Sequence, residues 1–148
     1  MGSKISFEIT TPERIVYRDE VDQITIPTRD GEITVLPNHI PLVSLLSPGA
    51  LTVKKNGEEV YMATSGGFVE VLPGNKVIVL ADTAERSEEL DLAAIEVARE
   101  RARKILEEKR NIDDVAFVDA AAMLERELAR LKVARKHRGG KNKPYNLE

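Results

Sequence analysis

Apolar and polar positions alternate in short runs over the first half of the chain and recur every three or four residues over the second. Ile5, Phe7 and Ile9 alternate with polar neighbours until Thr11-Pro12-Glu13 interrupts them. Ile24 and Ile26 repeat the pattern, and Pro27, which has no amide donor, is expected to end that strand. After an Asp30-Gly31 turn, Ile33 and Val35 alternate with Glu32 and Thr34. Pro37 and Pro41 bracket Asn38-His39 and predict a stiff corner before the next strand, residues 42–46. Leu51 and Val53 lead into Lys55-Asn56-Gly57-Glu58. Asn-Gly tolerates the positive backbone angles of a tight hairpin, so residues 60–63 are read as the returning partner. Residues 67–71 form a further strand closed by Leu72-Pro73-Gly74-Asn75, and the unbroken apolar run 77–80 reads as a central buried strand. Many short strands between turn residues predict a sandwich or barrel. No helical crossovers separate them, so antiparallel pairing is expected throughout.

The pattern changes after Asp82. From about residue 90 there is no glycine before Gly139 and no proline before Pro144, and strong helix formers dominate. Leu92, Ile95, Ala98, Ala102 and Ile105 mark the buried face of a first helix. A polar break at 110–114 offers Asn and Asp caps. A second helix is expected from about 114 to 136, with Phe117, Ala121, Leu124, Leu128 and Leu131 as its seam, stopped by Gly139-Gly140. A short loop between two helices favours an antiparallel hairpin. Its seams are narrow and alanine-rich, so it buries little area at roughly 25 cal/mol per Å². Such a hairpin is marginal alone and free to pack elsewhere. The fold class is α+β: an antiparallel β-sandwich in residues 1–84, then a helical hairpin with a basic tail in residues 85–148.

Composition narrows the function. The 148 residues include no cysteine and no tryptophan. Disulfides, thiolate nucleophiles and cysteine-held metals are excluded, which fits a reducing compartment. No apolar run approaches the ~20 residues of a membrane span, and the first residues lack the apolar core of a signal peptide. The net charge of -3 hides an asymmetry. Residues 1–84 hold 7 basic and 11 acidic side chains, whereas residues 126–143 hold eight basic and one acidic. That end suggests an anionic partner.

Catalytic chemistry is hard to assemble. The two histidines, His39 and His137, lie far apart, and no zinc, phosphate-loop or nucleophile-elbow motif is present. A hydrolase centred on His39 has no evident partner base; a loop histidine ordering its corner is the plainer reading. Ser65-Gly66-Gly67 precedes a strand rather than a helix, so close backbone packing or a bulge accounts for it better than phosphate binding. The basic run admits three readings: a solvated face, docking onto an acidic protein, or nucleic-acid binding through phosphates. The last has only Tyr145, beyond the helix, for stacking. No metal or catalytic residue is assigned.

Residues 31–42, followed by Ser47-Pro48-Gly49-Ala50-Leu51, Ser65-Gly66-Gly67-Phe68-Val69-Glu70-Val71 and Val77-Ile78-Val79-Leu80-Ala81-Asp82, carry a resemblance in order and spacing. They resemble the epsilon subunit of bacterial F-type ATP synthases, and the likeness spans about residues 4–137. It implies a non-catalytic central-stalk subunit, peripheral on the cytoplasmic face of the cell membrane, with gamma, c-ring, alpha and beta subunits as partners and no nucleic acid. It implies gamma contacts at Thr10, His39, Ser44, Ser65 and Glu70. The c-ring contacts would be Arg29, Asp30, Gly31 and Glu32. In bacterial relatives the hairpin inhibits ATP hydrolysis when extended, with basic residues of the second helix meeting acidic beta segments; here these would be Arg126, Arg130, Lys132, Arg135 and Lys136. Some relatives bind ATP at the start of the first helix through Ile/Leu-Asp-x-x-Arg-Ala. Leu90 and Asp91 match, but Ala94 and Ile95 replace the Arg-Ala pair. Alanine supplies no forked donor for phosphate, so tight ATP binding is not expected. Weak regulatory binding through Leu90, Asp91, Arg99 and Arg101 stays open, and no other cofactor is implied.

Overall fold

The computed structural model describes residues 2–108 and 115–141, with side chains as far as His137. Ten strands form two five-stranded sheets packed face to face. In chain order they are β1 Ile5–Thr10, β2 Ile15–Val21, β3 Gln23–Thr28, β4 Gly31–Val35, β5 Leu42–Leu45, β6 Gly49–Lys55, β7 Glu58–Thr64, β8 Gly67–Leu72, β9 Lys76–Ala81 and β10 Ala84–Arg86. One sheet has the order β2-β1-β9-β8-β5, the other β10-β7-β6-β3-β4. A 3-10 turn, Ser87–Glu89, leads to α1 Leu92–Glu108 and α2 Val115–Lys141.

The core follows from the period of two. Ile5, Phe7 and Ile9 face Ile24, Ile26, Leu51, Val53 and Met62 across the sandwich, all buried, with Val69, Val71, Val77 and Val79 alongside. Burying each such side chain is worth about 1.5–3 kcal/mol. The Asn56-Gly57 turn has φ values of 51° and 82°, the positive pair that a tight hairpin requires. Leu46 bridges to Thr28 and stitches the two sheets at one end.

Several expectations need correction. β2 has no counterpart in the alternation read above, because Arg18, Asp19 and Glu20 fill its middle; it is an edge strand, where charged side chains meet water. β1 and β9 pair in parallel, with Ser6 opposite Lys76 and Thr10 opposite Leu80. The intervening strands pass through the other sheet and return, so they serve as the crossover that a helix would otherwise provide. Pro27 lies within β3 rather than ending it. Pairing with β6 stops at Thr25, so its missing donor breaks no bond on that side. The run 77–80 is central in its sheet but not buried on both faces: Val77 and Val79 point inward, while Leu80 is 54% exposed.

Asp91 caps α1, its carboxylate accepting from the amides of Ala93 at 3.0 Å and Ala94 at 3.3 Å. The α1 face is as expected, with Ile95 and Ala102 fully buried. The α2 seam is not. Leu128 is 47% exposed, while Ala120, Glu127, Ala129, Val133 and Ala134 are buried with Leu131. The reason is that α2 has two partners. Leu131 and Ala134 meet Ile95 of α1, whereas Val133 packs on Ala50 and Ala63 of the second sheet. A second neighbour widens the buried arc beyond one seam. The helix also continues through Gly139-Gly140 rather than stopping there; glycine weakens a helix by about 1 kcal/mol without forbidding it. The expected caps at 110–114, and Lys143 and Tyr145, lie outside the described residues.

Candidate functional site

Three surfaces hold the residues singled out in the sequence. The first is the outer face of the sheet β2-β1-β9-β8-β5. Leu45 pairs with Phe68, Phe68 with Leu80, and Thr10 with Leu80, so these side chains form one row. Val43, Glu70 and Ile78 form the next row. Val43 (66%), Phe68 (53%) and Leu80 (54%) expose apolar area on this sheet face, which α2 approaches beside Phe68 through Ala122 and Glu125. A monomer rarely leaves such a face exposed. Of the five residues implied for gamma, Thr10 and Glu70 lie on this face. Ser44 is in register with buried Val69 and shares its inner side, at the edge strand β5. Ser65 sits at one end of the sandwich, where its hydroxyl accepts from Thr83 Oγ1 at 2.6 Å. His39 is in the loop at the opposite end, its Nδ1 2.6 Å from the Ile40 carbonyl oxygen. No acid or base partners it among the described residues. Sequence reasoning missed Val43, Leu45, Phe68 and Leu80, because the apolar run 77–80 reads as a buried strand and an outward apolar side chain carries no mark of its own in the sequence.

The second surface is the β3–β4 turn. Arg29, Asp30, Gly31 and Glu32 are all exposed, with Gly31 at φ 113° and Thr28 Oγ1 donating to its carbonyl at 2.5 Å. Here the chain brings two separate assignments together. Arg29 and Ser65 line one cleft of about 380 Å³ with Phe68, Asp82, Ala122 and Glu125. The last two belong to α2, so the folded hairpin reaches the turn.

The third surface is the basic face of α2, where Arg126 and Arg130 are half-buried and Lys132, Arg135 and Lys136 are exposed. Arg130 donates to both oxygens of Glu85 on β10, at 2.6 and 3.1 Å. Its remaining nitrogen meets both oxygens of Glu127 at 3.1 and 3.0 Å. Glu127, the single acid of the basic run, is 1% exposed, and Arg126 approaches it at 3.4 Å. Arg135 reaches Glu96 at 3.5 Å. Lys136 sits 5.4 Å over the Tyr61 ring. A hydrogen bond to Glu59 pushes the Tyr61 hydroxyl up to about 12. Lys132 makes no ion pair among the described residues. Beyond α2's basic face, Ser87, buried, lies 3.2 Å from His137 Nδ1.

Leu90 and Asp91 do not join Arg99 and Arg101 in one pocket. Leu90 packs under Val133 and Leu131, Asp91 is spent as the α1 cap, Arg99 pairs with Glu96 at 3.1 Å, and Arg101 lies on the far side of α1 with Val97 and Lys104. Ser65-Gly66-Gly67 is a close backbone contact and not an anion cradle: Gly67, at φ 118°, lies against the β9 backbone. No cluster of metal ligands occurs among the described residues, and no helix there is long and apolar enough to cross a membrane.

Comparison with known proteins gives a consistent result. Residues 4–87 match the family model for the ATP synthase, Delta/Epsilon chain, beta-sandwich domain. The ATP synthase epsilon chain of Chloroflexus aggregans is 46% identical over 134 residues, covering 90% of this chain and 94% of the relative. That of Herpetosiphon aurantiacus is 43% identical over 134 residues, covering 90% and 96%. A chain in the cryo-EM structure of the Euglena gracilis mitochondrial ATP synthase, comprising OSCP, F1 and the c-ring, superposes with a TM-score of 0.77 at 28% identity, covering 91% of this chain and 83% of that one.

Proposed function

Because the chain belongs to the ATP synthase epsilon-chain family, we propose that it is a non-catalytic stalk subunit that couples the catalytic head to the c ring and restrains ATP hydrolysis through its hairpin. The observation that carries this reading is the exposed apolar face of Val43, Leu45, Phe68 and Leu80. A stiff sheet with an exposed apolar face suits a permanent partner, and the gamma subunit is that partner. Torque needs contacts that do not yield, and a doubly hydrogen-bonded sheet supplies them. The turn 29–32 presents charge and backbone at one end of the sandwich, which suits the polar loops of a c ring. The subunit is thereby held at the cytoplasmic face of the membrane through the complex.

The hairpin in its folded-down form keeps Arg130, Arg135 and Lys136 on internal partners. In the inhibitory form the same residues, with Arg126 and Lys132, meet acidic segments of the beta subunits. Nucleic-acid binding through this helix is disfavoured, since no Phe, Tyr or Trp is interleaved with its basic residues for stacking. Regulatory ATP, if it binds, does so weakly, because Asp91 is already committed to the cap.

The test is ATP hydrolysis by a core of alpha, beta and gamma subunits. The full chain and a chain ending after Leu90 are added in turn; ending at Thr83 would remove β10, which pairs with β7. Binding by both, with inhibition by the full chain only, is expected. Binding by neither overturns the stalk assignment, and inhibition by both removes the hairpin from it.

A further inference from the structure

Folded hairpin and sandwich are tied by a short chain of charges. Arg130 uses the Nε–Nη2 edge of its guanidinium on Glu85 and its Nη1 on Glu127. All three nitrogens are engaged, and the side chain is 23% exposed. Glu127 is almost wholly buried. A carboxylate in that setting is costly unless paired, and Arg126 and Arg130 on its own helix pair it. A planar fork held at Nη1 presents its Nε–Nη2 edge in a fixed direction. That direction is Glu85, on the last strand of the sandwich.

We propose that Glu85, Arg130 and Glu127 form a latch in which buried Glu127 orients the Arg130 guanidinium onto Glu85 and so sets how often the hairpin leaves the sandwich. Glu127 acts through Arg130 and is a positioning residue. The inference deepens the inhibitory reading above: an acidic beta segment and Glu85 need the same edge of the same guanidinium, so the two contacts exclude each other. Latch strength then meters how much basic helix is available to the partner.

The chain has no cysteine, so spin labels placed by Lys54→Cys on β6 and Leu128→Cys on α2 report the separation directly in the full chain. Both positions are exposed. The labelled parent should give one well-defined distance. Glu85→Gln should raise the separated population about tenfold, which is about 1.4 kcal/mol, and Glu85→Lys should raise it further by repulsion. Glu127→Gln should open the hairpin too. The double variant Glu85→Gln with Glu127→Gln should open it no more than the stronger single change, since both act through one guanidinium. Unchanged distances in Glu85→Gln and Glu85→Lys would overturn the latch. Fully additive opening in the double variant would overturn the positioning role of Glu127. The inhibitory reading is scored separately: an opened variant that inhibits the catalytic core no better than the parent leaves the latch in place and counts against that reading.

Discussion

A Cβ placed on Gly67 would lie 1.9 Å from the carbonyl oxygen of Leu80. The contact is backbone against backbone, so no side chain can swing away. Gly67→Ala is therefore expected to cost about 3 kcal/mol or more, read as a fall in the thermal midpoint of the isolated chain. Gly57→Ala is the control. Its φ is also positive, but nothing lies within 4 Å, and a loss of only about 1 kcal/mol is expected. Equal midpoints for the two variants would show that β8 and β9 can separate locally.

The apolar face makes a prediction about binding alone. Phe68 and Leu80 are half-exposed and adjacent in register. Replacing both by serine should leave the unfolding midpoint nearly unchanged and weaken association with a gamma-containing core at least tenfold, as expected for central interface anchors. Undiminished association, measured by titration, would move the gamma contact elsewhere.

Lys132 separates docking from latching. It makes no ion pair among the described residues, so Lys132→Glu should leave the hairpin folded as before and weaken inhibition of hydrolysis. Reversal at Arg130 would do both things at once, because it also breaks the contact to Glu85. Inhibition by Lys132→Glu equal to that of the parent would remove this residue from the docking set.

In the β3–β4 turn, Glu32 is exposed beside the turn glycine. Glu32→Lys should reduce ATP-driven ion pumping in reconstituted membranes while hydrolysis persists, since it reverses charge at the expected c-ring contact. Pumping and hydrolysis that stay in the parent ratio would argue against the turn as that contact.

Acid should loosen the sandwich through its surface pairs. Hydrogen bonds from Lys4 and the Asn56 amide hold the Asp22 carboxyl below its ordinary value, and Lys55 does the same for Asp19. A carboxyl whose folded pKa is depressed stabilises the fold above its unfolded value near 4 and loses that contribution as the pH falls through the folded one. Both groups are partly exposed and the gain is small. Thermal midpoints of the parent and of Asp22→Asn should differ at neutral pH and converge below about pH 4. A gap that persists in acid would assign the effect to the Asn56 turn and not to charge.

Much of this architecture is legible in the sequence, for local reasons. Ile5, Phe7 and Ile9 announce their strand because the pleat has a period of two, and Asn56-Gly57 announces its turn because few residues accept positive φ. The α1 face was equally plain, since that helix has one buried stripe. What stays hidden depends on neighbours far along the chain. Leu128 looks like core until α2 is seen to lie on the sandwich through Val133. Glu127 looks like a surface acid in a basic run until Arg130 and Glu85 close around it. The outward turn of Leu80 is equally invisible, because an apolar strand reads the same whether its second face meets protein or water. The candidate contact residues were legible only as positions in a family pattern, and no residue property distinguished Ser44 from Ser65.

The parallel pairing of β1 with β9 places an early strand beside one that is made much later. During synthesis β1 can zip to β2 at once, but its other edge stays open until the segment from Lys76 onward has emerged. A sheet closed by so distant a contact folds slowly for its size. Until then an unpaired strand edge is available to any other chain at hand. The subunit is therefore most vulnerable to aggregation before assembly, in the interval when its hairpin has not yet been translated.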